Sequence, residues 1–187
     1  ATFAAFVQRV CNLAFEQRTS DLAALLAAGL EAERERLVQS IGENVSVRRI
    51  ALLEAPGGKV ASYLHADHRK ASLVAIVGGD DDLGRDVAMH VTASNPLVVS
   101  GTDVSPDIVA KEREIYTTQA QDSGKPADIV AKMVEGRVRK FLAEVSLLEQ
   151  PFVKDPNTRV GQLLTQKKAR CTGFVRFEVG EGIDKVE

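Results

Sequence analysis

The run Val60-Ala61-Ser62-Tyr63-Leu64-His65, the loop Ala66-Asp67-His68-Arg69-Lys70 and the run Ser72-Leu73-Val74-Ala75-Ile76-Val77 decide the fold class. Each flank is short and rich in residues that suit a pleated surface, and the loop between them is polar. Consecutive strands with so short a connection pair antiparallel, because a parallel pair needs a crossover of roughly a dozen residues or more. Just upstream, Pro56-Gly57-Gly58 is a turn signal, and before it Val45, Val47, Ile50 and Leu52 lie in a further strand-like run. Just downstream, Gly78-Gly79 ends the sheet pattern. Asp80-Asp81-Asp82 then places carboxylates where the free amide groups of a new helix favour negative charge. That helix is predicted over about 82–93, with Leu83, Val87, His90 and Val91 on one side, and it stops before Asn95-Pro96.

Helical spacing governs both sides of this region. Phe3, Phe6, Val7, Val10, Leu13 and Ala14 mark a first helix. Thr19-Ser20-Asp21 caps a second, which carries Leu22, Leu25 and Leu26 and which Gly29 can stop. Residues 31–40 form a charged third helix with Leu37 and Val38 as its apolar side. Beyond the sheet, Ser105-Pro106-Asp107 reads as a cap and first turn, and Ser123-Gly124-Lys125-Pro126 as a tight tip. A longer helix to about Leu148 follows, with Ile129, Val130, Met133, Val134, Val138, Phe141, Leu142 and Val145 as its stripe. The pair makes an αα-hairpin, expected to project as an antiparallel coiled-coil arm because its tip half is too polar to be covered on all sides. The alternative is that both helices pack on the sheet. Val160 to Leu164 is a short helix and Cys171 to Val179 a strand. The order helix, short helix, strand thus occurs at both ends, and Arg48-Arg49-Ile50-Ala51-Leu52 aligns with Val175-Arg176-Phe177-Glu178-Val179. On pattern alone, duplication stays open. The class expected is α+β: a core subdomain over 1–100, the helical hairpin over 101–148, and a second core subdomain over 149–187.

A formal charge of −2 on 187 residues supplies no field toward nucleic acid or an anionic membrane. No apolar run approaches the roughly 20 residues of a membrane-spanning helix. The start Ala1-Thr2-Phe3 has no basic leader and no Met, which reads as a processed or cut chain, and the expected location is the cytoplasm. Cys11 and Cys171 lie outside any CxxC spacing and are expected as half-buried thiols. His65 and His68 stand at HxxH spacing with no third ligand nearby, and His90 reads as a core histidine with its polar atoms satisfied. Residues 78–82 lack both the phosphate-loop and the calcium-loop patterns, and no GxSxG occurs. The absence of Trp and of a basic stripe argues against stacking on single-stranded nucleic acid. The expectation is a protein that grips another protein, with no catalytic residue, metal or cofactor of its own.

Five ordered stretches are more specific: Ile41-Gly42-Glu43-Asn44-Val45-Ser46-Val47-Arg48-Arg49, Met89-His90-Val91-Thr92-Ala93-Ser94-Asn95-Pro96, Gly124-Lys125-Pro126 with Glu135-Gly136-Arg137, Gln150-Pro151-Phe152-Val153-Lys154, and Arg176-Phe177-Glu178-Val179-Gly180-Glu181-Gly182-Ile183. In this order and spacing they resemble elongation factor Ts, the nucleotide exchange factor for elongation factor Tu. The resemblance implies two related subdomains interrupted by a coiled coil. It also implies that the factor holds its GTPase partner in a shape with a distorted magnesium and phosphate site, so that GDP leaves sooner. Family members begin with a small helical domain and a Thr-Asp-Phe-Val motif whose Phe acts as a wedge, and they end in a further helix; none of these occurs in residues 1–187. By resemblance, Ile41 and Gly42 press on a helix of the partner's GTPase domain and His65 joins that contact. Phe152, Val153 and Lys154 lie near a second partner surface. The implication is exchange by a chain that binds better than it exchanges. The alternatives are a homodimer or a docking scaffold without exchange activity.

Overall fold

The computed structural model describes residues 2–121 and 123–182. The chain divides into two compact units, Ala1–Leu52 and Leu53–Glu187.

The first unit is helical. Thr2 caps α1 (Phe3–Gln17) by accepting from the Ala5 amide, and Phe6, Val10, Leu13 and Ala14 are its buried side. Asp21 caps α2 (Leu22–Leu25), as its sequence position predicts. Gly29, at φ 108°, separates that helical stretch from α3 (Glu31–Ile41), where an L side chain would be strained. Leu25, Leu30 and Leu37 close the core with α1, and Val45, Val47 and Ile50 pack against it half-buried. The strand expected over Val45 to Leu52 is therefore corrected: this segment belongs to no sheet. Val45, Val47 and Ile50 face a helical core while Leu52 is exposed, and the Arg34 guanidinium of α3 holds the Val45 carbonyl at 2.9 Å. Backbone extension needs only local preference, whereas a strand needs a neighbour.

The second unit carries the sheets. β1 (Lys59–Leu64) and β2 (Lys70–Val77) pair antiparallel with Tyr63 opposite Ser72, as expected from the connecting loop. β5 (Arg170–Glu178) pairs antiparallel with the other edge of β2, giving the order β1-β2-β5. Residues 59–77 and 170–178 thus share one sheet. Between them in the chain come α4 (Asp81–Ser94), α5 (Pro106–Gln121), α6 (Ala127–Val145), the small ladder of β3 (Pro151–Phe152) with β4 (Asp155–Arg159), and α7 (Val160–Gln166). Asp80 caps α4 by accepting from the Leu83 amide at 2.7 Å, which is the role read for the acidic triplet. One core gathers Val74 and Ile76 of β2, Leu83, Val87 and Val91 of α4, and Leu147, Phe152, Val160 and Leu164. The α+β class with antiparallel sheets stands, but both sheets lie in this unit.

α5 and α6 form a helical hairpin with a small core of its own, Ala120, Val134 and Val138, against which Val109, Tyr116, Val130 and Leu142 pack. Arg113 pairs with Glu135, and Arg137 donates to Gln119 at 2.8 Å while lying 5.9 Å above the Tyr116 ring. The inward positions Val130, Val134, Val138 and Leu142 recur every four residues, where a heptad seam alternates three and four. The structure thus shows a helix pair and does not establish the coiled coil. Its base is fixed by the Leu97 amide on the Val145 carbonyl at 2.8 Å, and Leu147 already belongs to the main core.

Candidate functional site

α3 ends in a way that displays Ile41. Gly42 follows it at φ 75° and ψ 10°, and its amide bonds to the Val38 carbonyl at 2.9 Å. This left-handed cap costs glycine little and an L-residue about 1 kcal/mol or more. No atom stands within 4 Å of where a Cβ on Gly42 would lie, so backbone conformation alone asks for glycine there. The chain turns away and leaves the Ile41 side chain 41% exposed. A branched apolar residue on a rigid helix end is a preformed knob, and it loses little entropy on being covered.

His65 lies in the second unit, at the turn between β1 and β2. Its amide donates to the Lys70 carbonyl and its carbonyl accepts from the His68 amide, both at 2.9 Å. Asp67 accepts from the Arg69 amide at 2.9 Å, and that hydrogen bond holds the Asp67 carboxyl below its ordinary range. The His65 ring is exposed, with Nδ1 3.5 Å from the Tyr63 hydroxyl and ring centroids 6.2 Å apart. A tightly closed turn therefore presents an imidazole to solvent on a fixed backbone.

The stretch Phe152–Lys154 separates into two kinds of residue. Phe152 is buried at 6% exposure, its centroid 6.0 Å from that of His90, so the ring anchors the turn. Val153 is 43% exposed. The Lys154 ammonium reaches Asp86 of α4 at 2.5 Å across a half-exposed pair, which contributes at most about 1 kcal/mol. His90 lies one turn beyond Asp86 on the same helix and is fully buried. Its Nδ1 accepts from the Val153 amide at 3.1 Å, so Nε2 carries the hydrogen and donates to Gln150 Oε1 at 2.9 Å. Gln150 Nε2 in turn donates to the Glu144 carbonyl near the end of α6 at 2.8 Å. Burial lowers the pKa of His90, against the opposing hydrogen bond to Gln150. The core histidine read from helical spacing is found, with both nitrogens satisfied.

Sequence reading did not find what His90 holds, because Asp86, His90, Gln150 and Val153 meet only through tertiary packing. The one available signal was the i,i+4 spacing of Asp86 and His90 on α4. The cysteine expectation divides as well. Cys171 is buried, which pushes its thiol up to about 11, but Cys11 is exposed and not half-buried as expected, because α1 turns that face away from its own core. Among the described residues no three His, Cys, Asp or Glu side chains gather as a metal site, and no helix is long and apolar enough to cross a membrane.

Other residues of the five stretches hold the fold. Arg176, with its side chain 7% exposed, donates from Nε to the Thr92 carbonyl at 3.1 Å and from Nη2 to Glu178 at 2.6 Å. This hydrogen bond holds the Glu178 carboxyl below its usual range. Asn95 caps α4 at φ 46°, and Ile183 of the fifth stretch lies outside the described residues.

The family model described as Elongation factor TS matches residues 1–181. Among curated relatives, Elongation factor Ts of Hahella chejuensis (strain KCTC 2396) is 53% identical over 185 residues, 99% of this chain and 64% of that protein. Elongation factor Ts of Saccharophagus degradans (strain 2-40) is 52% identical over 187 residues, 100% of this chain and 64% of that protein. The chain therefore spans just under two thirds of the length of these relatives. A family match over residues 1–181, with relatives about half identical across nearly the whole chain, places the chain in the elongation factor Ts family.

Proposed function

We propose that this chain binds elongation factor Tu and takes part in promoting GDP release during protein synthesis in the cytoplasm. The observation that carries the reading is Ile41, an exposed apolar side chain held on a glycine-capped helix end. His65 on its closed turn, and Val153 with Lys154 on the loop that Phe152 anchors, supply further contacts. No proton need change hands. A partner held in a form with a weakened nucleotide site releases GDP faster, and linkage requires that nucleotide weaken the factor's grip by the same ratio. Contacts that hold both partner states equally give affinity without shifting that balance. Residues 1–187, which include no Thr-Asp-Phe-Val sequence, are therefore expected to bind more strongly than they exchange.

The test loads elongation factor Tu with a fluorescent GDP, adds the chain, and measures association and nucleotide release separately. Ile41→Asp should weaken association by about tenfold or more, since a carboxylate would be buried against an apolar surface. Its melting temperature should stay close to the parent's because Ile41 is half exposed. Unchanged association of the Ile41→Asp protein would move the interface elsewhere. Association with no release at any concentration would favour the docking scaffold.

A further inference from the structure

His90 is invested more heavily than a core-filling residue needs to be. The relay from the Val153 amide through His90 and Gln150 to the Glu144 carbonyl has a backbone donor at one end and a backbone acceptor at the other. Both ends fix the direction of every proton between them, so a single neutral tautomer satisfies all three bonds. The relay ties the loop over Pro151–Lys154 to α4 on one side and to the base of the helical hairpin on the other. One turn earlier on α4, Asp86 grips the Lys154 side chain, and Phe152 packs beside the imidazole. Three residues in a row are thus oriented from α4 by three different interactions. What this leaves outward is the Val153 side chain and the Lys154 stem.

We propose that His90 is a positioning residue: its imidazole fixes the backbone at Val153 and so sets the surface that Val153 and Lys154 offer to the partner. The proposal rests on the partner-binding reading above, and it adds a residue that is itself inaccessible to any partner. Loop contacts made on a pre-ordered backbone avoid the entropy of ordering it on binding. Losing the bond to the Val153 amide leaves a part-buried donor without its partner and frees the loop.

Two variants separate the bonds. In His90→Asn the side-chain oxygen takes the place of Nδ1 and keeps the Val153 bond while losing Gln150. In His90→Gln the amide nitrogen takes the place of Nε2 and keeps Gln150 while losing Val153. Association with elongation factor Tu should fall about tenfold in His90→Gln and by no more than about threefold in His90→Asn. Amide hydrogen exchange at Val153 should quicken in His90→Gln only. A loss of association that follows melting temperature equally in both variants would overturn the proposal, since that is what mere core filling predicts. So would parent-like association of His90→Gln. Should either variant fail to fold, scalar coupling across the hydrogen bond between the Val153 amide and His90 Nδ1 in the parent protein decides: its presence supports the assignment and its absence refutes it. If the parent chain itself fails to associate, the partner reading falls, while Val153 exchange in the two variants still reports whether His90 holds the loop.

Discussion

Residues 48–52 align with 175–179, yet only the second stretch enters a strand, β5. Arg170–Glu178 lies along β2, with Val175 opposite Leu73 and Arg176 opposite Ser72. Residues 44–52 have no strand beside them; Val45, Val47 and Ile50 pack onto the helices of the first unit, while Leu52 is exposed. Alternation specifies which side chains go inward. Whether the backbone then becomes a strand depends on a neighbour elsewhere in the chain. The contrast extends to the aligned arginines. The Arg176 side chain is only 7% exposed, whereas Arg49 is exposed.

Amide hydrogen exchange tests the contrast most sharply. Ladder amides of β5 facing β2 should exchange at least about a thousandfold more slowly than those of Val45 to Leu52, because they open only with the sheet. Equal protection in both segments would break the comparison. Next in size is Arg176→Ala. It leaves the Thr92 carbonyl and two carboxylates without a buried guanidinium, and should cost about 3 kcal/mol in denaturant unfolding. Arg49→Ala should cost no more than about 1 kcal/mol, since exposed charges contribute little.

Gly42→Ala comes third, at about 1 kcal/mol. The Cβ meets nothing, so the cost should be the same in any residue without a preference for left-handed backbone, and Gly42→Asn should recover part of it. If Gly42→Ala were neutral, the helix end would have another way to turn. The most gradual effect is that of pH. All three histidines, 65, 68 and 90, lie in the second unit. The folded pKa of His90 is below its ordinary 6.5 because burial disfavours the cation. Its contribution to stability is therefore complete above about pH 6.5. As pH falls below that value the unfolded chain takes up the proton first, and stability declines toward the folded value. Acid titration should loosen signals from Val153 and Gln150, and His90→Asn should flatten that part of the profile.

The hairpin shows how a boundary shifts between sequence and structure. Its own small core supports treating it as a separable element, but Leu147 belongs to the main core, so an excision should spare it. Replacing 107–143 by a short Gly-Ser linker is expected to lower helicity while leaving a cooperative melt.

The sequence by itself determined the helices, their caps and stops, the β1–β2 turn and the α+β class. These depend on residues within a few positions of one another: Asp80 and Leu83 at a helix start, Gly42 and Val38 at a helix end, His65 and Lys70 across a turn. The displayed Ile41 is legible in the same way, once a glycine is seen to follow a helix. Only the tertiary structure decided that residues 44–52 join no sheet and that Phe152 is an anchor while Val153 and Lys154 face outward. It also decided that His90 reaches 60 and 63 positions along the chain to Gln150 and Val153. The physical reason is common to all three. A local signal sets a residue's conformation and its inward or outward sense, but a partner is chosen by which distant surfaces the fold brings within about 3 Å, and hydrogen bonds over so short a range leave no periodic trace in the sequence.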